Sequence, residues 1–314
     1  MRRPKTAAVL VITGLVAIAA VYLLATQGKK DGNGTGTSTG PAPDAPPDPE
    51  LLGLWHTIKV ARAKKPKPGP GVRIDGSWLD GICEYEKSHP GVIRRFLFHD
   101  FHDKAEIDAK TVALHGYRRY MLGDVKRVKD MLDMAVAILD HETPDTRFIL
   151  IREEAVGMMS FCAKLQKTSP EAYKRSFDIL LERFDAERGA KMFASITSAL
   201  TRYSRADILV PKLIARFESL DPADEYNVLF ACPIVRAVAD SNLWSKESDE
   251  FLVKVAREYL HPTVRATAVI AINKARAPKV AVPIFEELLK TEKDPGVIEQ
   301  INKALKSKRG RFHR

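Results

Sequence analysis

The densest chemistry in the chain is the run His99-Asp100-Phe101-His102-Asp103, followed by His115 and by His141 between Asp140 and Glu142. On a helix His99 and His102 share a face three residues apart, and Asp103 falls one turn after His99, which suits metal ligation. The run lacks the further ligand and base that make two-histidine helical motifs specific; the competing reading is a polar helix end after Phe96, Leu97 and Phe98. No metal, cofactor or catalytic residue is therefore assigned. Carboxylates such as Glu153, Glu154 and Asp240 could do chemistry only by converging in a pocket. The sequence holds no Gly-rich phosphate loop, G-x-S-x-G elbow, H-E-x-x-H motif or paired-cysteine zinc site.

Cationic groups form the second class of candidate. The chain has 50 Lys plus Arg against 40 Asp plus Glu, a net charge of +10. Such a surplus favours acidic partners, or simply keeps a domain dispersed. Tyr117-Arg118-Arg119-Tyr120 pairs aromatic and cationic groups, but four successive helical residues point in all directions. The tail Lys306, Lys308, Arg309, Arg311 and Arg314 is a more continuous patch and a candidate polyanion-binding site; a solvated end is the alternative. Nucleic acid is not expected as a partner.

Three elements must position these groups. Residues 7–25 carry no charge, and as a helix they would span about 28 Å, close to a bilayer's hydrocarbon thickness. Arg2, Arg3 and Lys5 precede the run, so the expectation is a cytoplasmic terminus (1–5), a single-pass transmembrane signal anchor (6–27) and a main domain outside the cytoplasm. A cleaved secretory signal is the alternative, disfavoured by the length of the run and by a poor cleavage site at Leu23-Leu24-Ala25-Thr26. Residues 28–49 are dominated by Gly, Thr, Ser, Pro, Ala and Asp, the composition of a disordered tether.

From residue 50 to 306 helical periodicity dominates and no convincing alternating strand is found, so the body is expected to be all-α, ending in a basic tail (307–314). Six helix starts are predicted where a polar residue precedes proline, at His89-Pro90, Thr143-Pro144, Ser169-Pro170, Asp221-Pro222, His261-Pro262 and Asp294-Pro295. About a dozen helices follow. Residues 50–65 are expected to cap the first repeat, with a bilayer-surface helix as the alternative. Cys83, Cys162 and Cys232 have apolar neighbours and no C-x-x-C spacing, which points to buried thiols.

Pro262 and Pro295 lie 33 residues apart and their helices carry apolar residues at matching offsets: Val264, Ala268, Ala271 and Ile272 answer Val297, Ile301, Ala304 and Leu305. A helix pair with one apolar face needs stacked neighbours to bury it, so a period in the thirties predicts an α-solenoid.

At these residues the chain resembles the HEAT-repeat family, whose second helix opens with Asp-Pro-x-Val-Arg. His261-Pro262-Thr263-Val264-Arg265 matches with His261 in the aspartate position, and Asp294-Pro295-Gly296-Val297-Ile298 with Ile298 in the arginine position; His89-Pro90-Gly91-Val92 is a weaker echo. The specific match covers about 45 carboxy-terminal residues. The resemblance implies a curved superhelix that binds macromolecules with its second helices on the concave face. The function expected is thus a membrane-anchored scaffold or adaptor for another protein, with Arg236, Arg265 and Lys274 as partner-binding residues. The alternatives are a metal-dependent hydrolase or lyase using His99 and His102, and a structural domain whose tail holds cell-envelope polyanions.

Overall fold

Proline after a polar residue opens four of the long helices, at Pro49, Pro170, Pro262 and Pro295, the last three as expected, where the missing amide costs no hydrogen bond. The His261 ring accepts from the Thr263 amide, and the Asp294 carboxylate accepts from the Val297 amide at 3.0 Å. Two other expected starts are turns. Asp221 accepts from the Ala223 amide in a local loop, and the next helix begins only at Val228. After Pro90, Gly91 at φ 83° turns the chain before a helix starts at Val92. Buried Glu86 takes the Gly91 and Ile93 amides there, at 2.9 and 3.0 Å. Thr143-Pro144 lies outside the described residues.

The computed structural model describes residues 48–65, 76–98, 104–122, 127–141 and 146–309. Contacts divide the chain into two units, Met1–Pro47 and Asp48–Arg314. The first unit lies outside the described residues. Among those described, the second is all-helical, with fourteen α-helices and no strand: α1 Pro49–Lys64, α2 Asp80–Ser88, α3 Val92–Phe98, α4 Lys104–Leu122, α5 Val128–Asp140, α6 Ile149–Phe161, α7 Pro170–Ala186, α8 Ala190–Leu200, α9 Ala206–Glu218, α10 Val228–Val238, α11 Lys246–Glu258, α12 Pro262–Ala275, α13 Pro278–Thr291 and α14 Pro295–Arg309. Helix α14 absorbs the first residues of the expected basic tail, so 307–309 are helical.

The helices pair in order, odd with even, and the pairs stack into two layers. Each even-numbered helix packs closely on the next, in unbroken succession from α2 to α14, whereas the odd-numbered helices touch their successors sparsely. The even layer is rich in buried alanine, including Ala113, Ala155, Ala199, Ala231 and Ala268, and short side chains let backbones approach. All eight residues at the matched offsets, from Val264 to Leu305, are buried. Even helices from α6 onward start at residues 149, 190, 228, 262 and 295, so the spacing falls from 41 to 33 residues. Helix α1 buries Leu54, Ile58 and Ala61 and packs on α2, α3 and α4. Cys83, Cys162 and Cys232 are buried thiols.

The single-pass membrane location expected above is corrected. Among the described residues no helix is long and apolar enough to cross a membrane. The longest, α4 with 19 residues, carries Lys104, Glu106, Asp108, Lys110, Arg118 and Arg119, and charge at that density excludes it from hydrocarbon. Residues 6–27, on which the expectation rested, lie outside the described residues, as does the tether up to residue 47. The transmembrane anchor and the extracytoplasmic placement are accordingly withdrawn.

Candidate binding surface

An even-layer helix is packed on three sides, which leaves it one narrow stripe facing solvent. On α6 the stripe includes Leu150, Glu153, Glu154 and Gly157; on α8, Lys191, Ser195 and Ser198; on α10, Leu229, Pro233 and Arg236; on α12, Ala266, Ile270 and Lys274. Spacings of three, four and seven residues keep each set on one helix face. A Thr267 Oγ1 to Cys232 Sγ contact of 3.4 Å sets the register of α12 on α10 and brings Ile270 level with the Pro233 to Arg236 turn.

Charge on this surface changes along the stack. Between α4 and α6, His115 Nε2 lies 2.9 Å and Arg118 3.6 Å from the Glu154 carboxylate. Burial raises the Glu154 pKa, but the His115 hydrogen bond and the charges of His115 and Arg118 outweigh it and hold the carboxyl below its ordinary value. Between α6 and α8, Glu153 takes Lys191 at 2.7 Å and the Ser195 hydroxyl at 3.0 Å. On α10 and α12 the cations Arg236 and Lys274 are exposed and no acidic side chain among the described residues pairs with them. Their neighbours Leu229 and Ile270 are 40% and 53% exposed.

At the other end, α2 and α4 flank an open groove of about 910 Å³ lined by Cys83, Glu84, Lys87, His115, Arg119 and Arg127, among others. Its charges are largely spent on each other: Arg119 reaches Asp80 at 2.8 Å, Lys87 reaches Glu84 at 2.6 Å, and the Arg127 guanidinium lies 4.3 Å from the Tyr120 ring centroid. Burial pushes the Cys83 thiol up, away from a reactive thiolate. Tyr117 of the Tyr-Arg-Arg-Tyr run is buried, Tyr120 and Arg118 are half-buried and Arg119 is exposed, so the run does not form one face.

Other candidate residues have structural roles. Arg265 bonds both oxygens of Glu292 at 2.8 Å and donates to the Tyr259 and Leu260 carbonyls, tying α12 to the end of α13. The Arg265 hydrogen bond outweighs burial at Glu292 and keeps that carboxyl low. Lys308 is buried and donates to the Arg276 carbonyl at 2.5 Å, Arg309 pairs with Glu286, and Lys306 is exposed. Asp240 takes the Asn242 amide in a turn. His141 packs between Phe98 and Phe148. His99, His102, Asp103, Arg311 and Arg314 lie outside the described residues. Among the described residues no group of three or more His, Cys, Asp or Glu is placed to hold a metal. Sequence reasoning missed Leu150, Leu229 and Ile270. The signal available was an aliphatic residue on the polar side of an otherwise buried helix, which can be read only once the facing helix is known.

No family model matches the chain, and no curated protein matches it. Among solved structures, one similar chain comes from "Computational Design of Self-Assembling Cyclic Protein Homooligomers". It is 15% identical, with 83% of this chain and 91% of that chain covered, at a TM-score of 0.19, which carries no argument about fold or function.

Proposed function

We propose that this chain is a HEAT-like α-solenoid adaptor that captures a protein partner on the solvent stripes of its even-layer helices. One observation carries the reading: the solvent stripes of α10 and α12 present exposed Leu229 and Ile270 together with the cations Arg236 and Lys274, which have no acidic partner among the described residues. Apolar anchors within a polar rim are the usual anatomy of a protein interface, and an exposed aliphatic group on a rigid helix binds with little ordering cost. The close even layer and sparse odd layer support curvature with α10 and α12 on the inner side, where a partner meets several stripes at once. Proline openings at Pro262 and Pro295, with the same four offsets buried after each, support the repeat assignment. Arg265 then belongs to the joint between repeats: its acid comes from Glu292, where the HEAT pattern would draw on an aspartate.

The test is proximity labelling in cells with the labelling enzyme fused after Arg314, comparing the parent chain with a Leu229→Asp, Ile270→Asp variant. The expected result is one or a few proteins enriched by the parent and lost by the variant, whose circular dichroism melt stays unchanged. An identical set from both would overturn the reading.

A further inference from the structure

The ends of the even helices share one edge of the stack. Three 3-10 turns lie along it: Cys162–Leu165 after α6, Thr201–Tyr203 after α8 and Ser241–Leu243 after α10, each packed on the next. Hydrogen bonds stitch the row: Tyr203 Oη donates to the Met159 carbonyl at 2.5 Å, and Asn242 Nδ2 to the Thr201 carbonyl at 3.4 Å. The row continues where the Arg276 guanidinium, just past α12, lies 6.0 Å from the Trp244 ring, and where Lys308 of α14 donates to the Arg276 carbonyl.

Every even helix from α6 onward brings a cation to this edge: Lys164, Arg202, Arg236, Lys274 and Lys306. All five are exposed, and no acidic side chain among the described residues pairs with any of them. A helix dipole alone favours a terminal cation by about 0.3–1 kcal/mol and explains its presence in either layer. It does not explain why none of the five is paired. In the odd layer four last-turn cations, Arg62, Arg95, Arg183 and Arg257, are held by Asp108, Glu50, Asp140 and Glu287, while Lys64, Arg216 and Lys290 have no acidic partner among the described residues. The opposite edge, where odd helices lead into even ones, carries Asp185, Glu187, Glu218, Asp221, Asp224 and Glu258. That edge also carries Arg188, Arg216, Arg257 and Lys290, so its charge is mixed, whereas the edge at the ends of the even helices presents five cations without an acidic partner among the described residues.

We infer that the cationic edge is a rail for an extended acidic segment of the partner protein, laid across the ends of α6, α8, α10, α12 and α14. This deepens the adaptor reading and rests on it. Helices packed about 8–10 Å apart set five cations over roughly 40 Å, the length of about twelve extended residues, so one carboxylate every third residue meets the row. The cations run in single file, which suits a thin chain; a duplex presents two phosphate strands and needs a second row. Exposed Trp244, beside Arg276 and hydrogen-bonded to Asp249, gives such a segment an aromatic contact partway along.

The experiment is fluorescence anisotropy of a labelled oligoglutamate of about fifteen residues with the full-length chain, from about 50 to about 200 mM salt, beside an oligothymidylate of equal charge. Oligoglutamate should bind in a salt-sensitive way, at least tenfold more weakly to an Arg202→Glu, Arg236→Glu, Lys274→Glu variant. The matching Gln variant should lie between, and Lys290→Glu on the opposite edge should match the parent. No binding, equal binding by the triple variants, or tighter binding of oligothymidylate would overturn the proposal. If the Leu229→Asp, Ile270→Asp variant loses its partner while oligoglutamate ignores the rail, the adaptor stands and the rail falls. If oligoglutamate binds the rail while the labelled proteins are the same with and without those two substitutions, the apolar surface is the part that fails.

Discussion

Across the odd layer, Asp133–Arg175 and Asp140–Arg183 join α5 to α7, Asp185–Lys212 joins α7 to α9, Glu218–Lys254 joins α9 to α11, and Arg257–Glu287 joins α11 to α13. Across the even layer the corresponding joints are made by buried side chains such as Ala155, Phe193, Ile234 and Ala268, with Phe193 meeting Phe230 at 5.0 Å. Exposed ion pairs are worth little and are screened by salt, whereas buried apolar area carries most of the folding free energy. The even layer thus holds the stack together, and the odd layer keeps its own surface polar and sets spacing without close contact. The binding groups proposed above can stand on the even layer because its rigidity is supplied from beneath.

The comparison breaks most readily in the even layer. Phe193→Ala removes a fully buried ring packed against both Phe184 and Phe230 and should cost about 4 kcal/mol in a urea melt. A loss below about 1 kcal/mol would mean that the even layer is not the structural spine. Next in size is the joint between repeats. Arg265→Ala strips the partner from Glu292, whose side chain is 7% exposed, and should cost about 3 kcal/mol near neutral pH. Because the folded-state pKa of Glu292 lies below its ordinary value of 4.5, its contribution is fully present above that pH and is lost as pH falls through the folded value. The stability gap between parent and variant should therefore be flat above about pH 4.5 and close below it. A gap that persists in acid would assign the loss to packing instead. Smallest is the odd layer: a double-mutant cycle on Arg175 and Asp133, both more than a third exposed, should return less than about 1 kcal/mol and shrink in high salt.

Helix identity was legible in the sequence wherever apolar spacing and proline agreed, as at Ser169-Pro170, His261-Pro262 and Asp294-Pro295. It failed at Asp221-Pro222, because an aspartate that can cap a helix can as well close a turn on its own amides. Buried offsets in the last two repeats followed directly from the 33-residue period. The proposed binding groups were only partly legible. Arg236, Arg265 and Lys274 share a residue class and a place on even helices, yet Arg265 is held within the fold, because Glu292 sits 27 residues further on and only folding brings it near. Lys308 likewise reads as one more tail cation until α14 turns it inward onto Arg276. Leu229 and Ile270 could not be told from core residues, since what exposes them is the absence of a helix above, a property of the stack.

Among the described residues, no hydrogen bond joins positions more than 45 apart, and the joints grow shorter in sequence toward the carboxy terminus. Each helix pair needs only the pair before it to be complete. Synthesis delivers about 5–20 residues each second, so a repeat of this size has its partner waiting and can dock within seconds of leaving the ribosome. The array can then assemble in the order in which it is made, with little time spent as an exposed apolar chain.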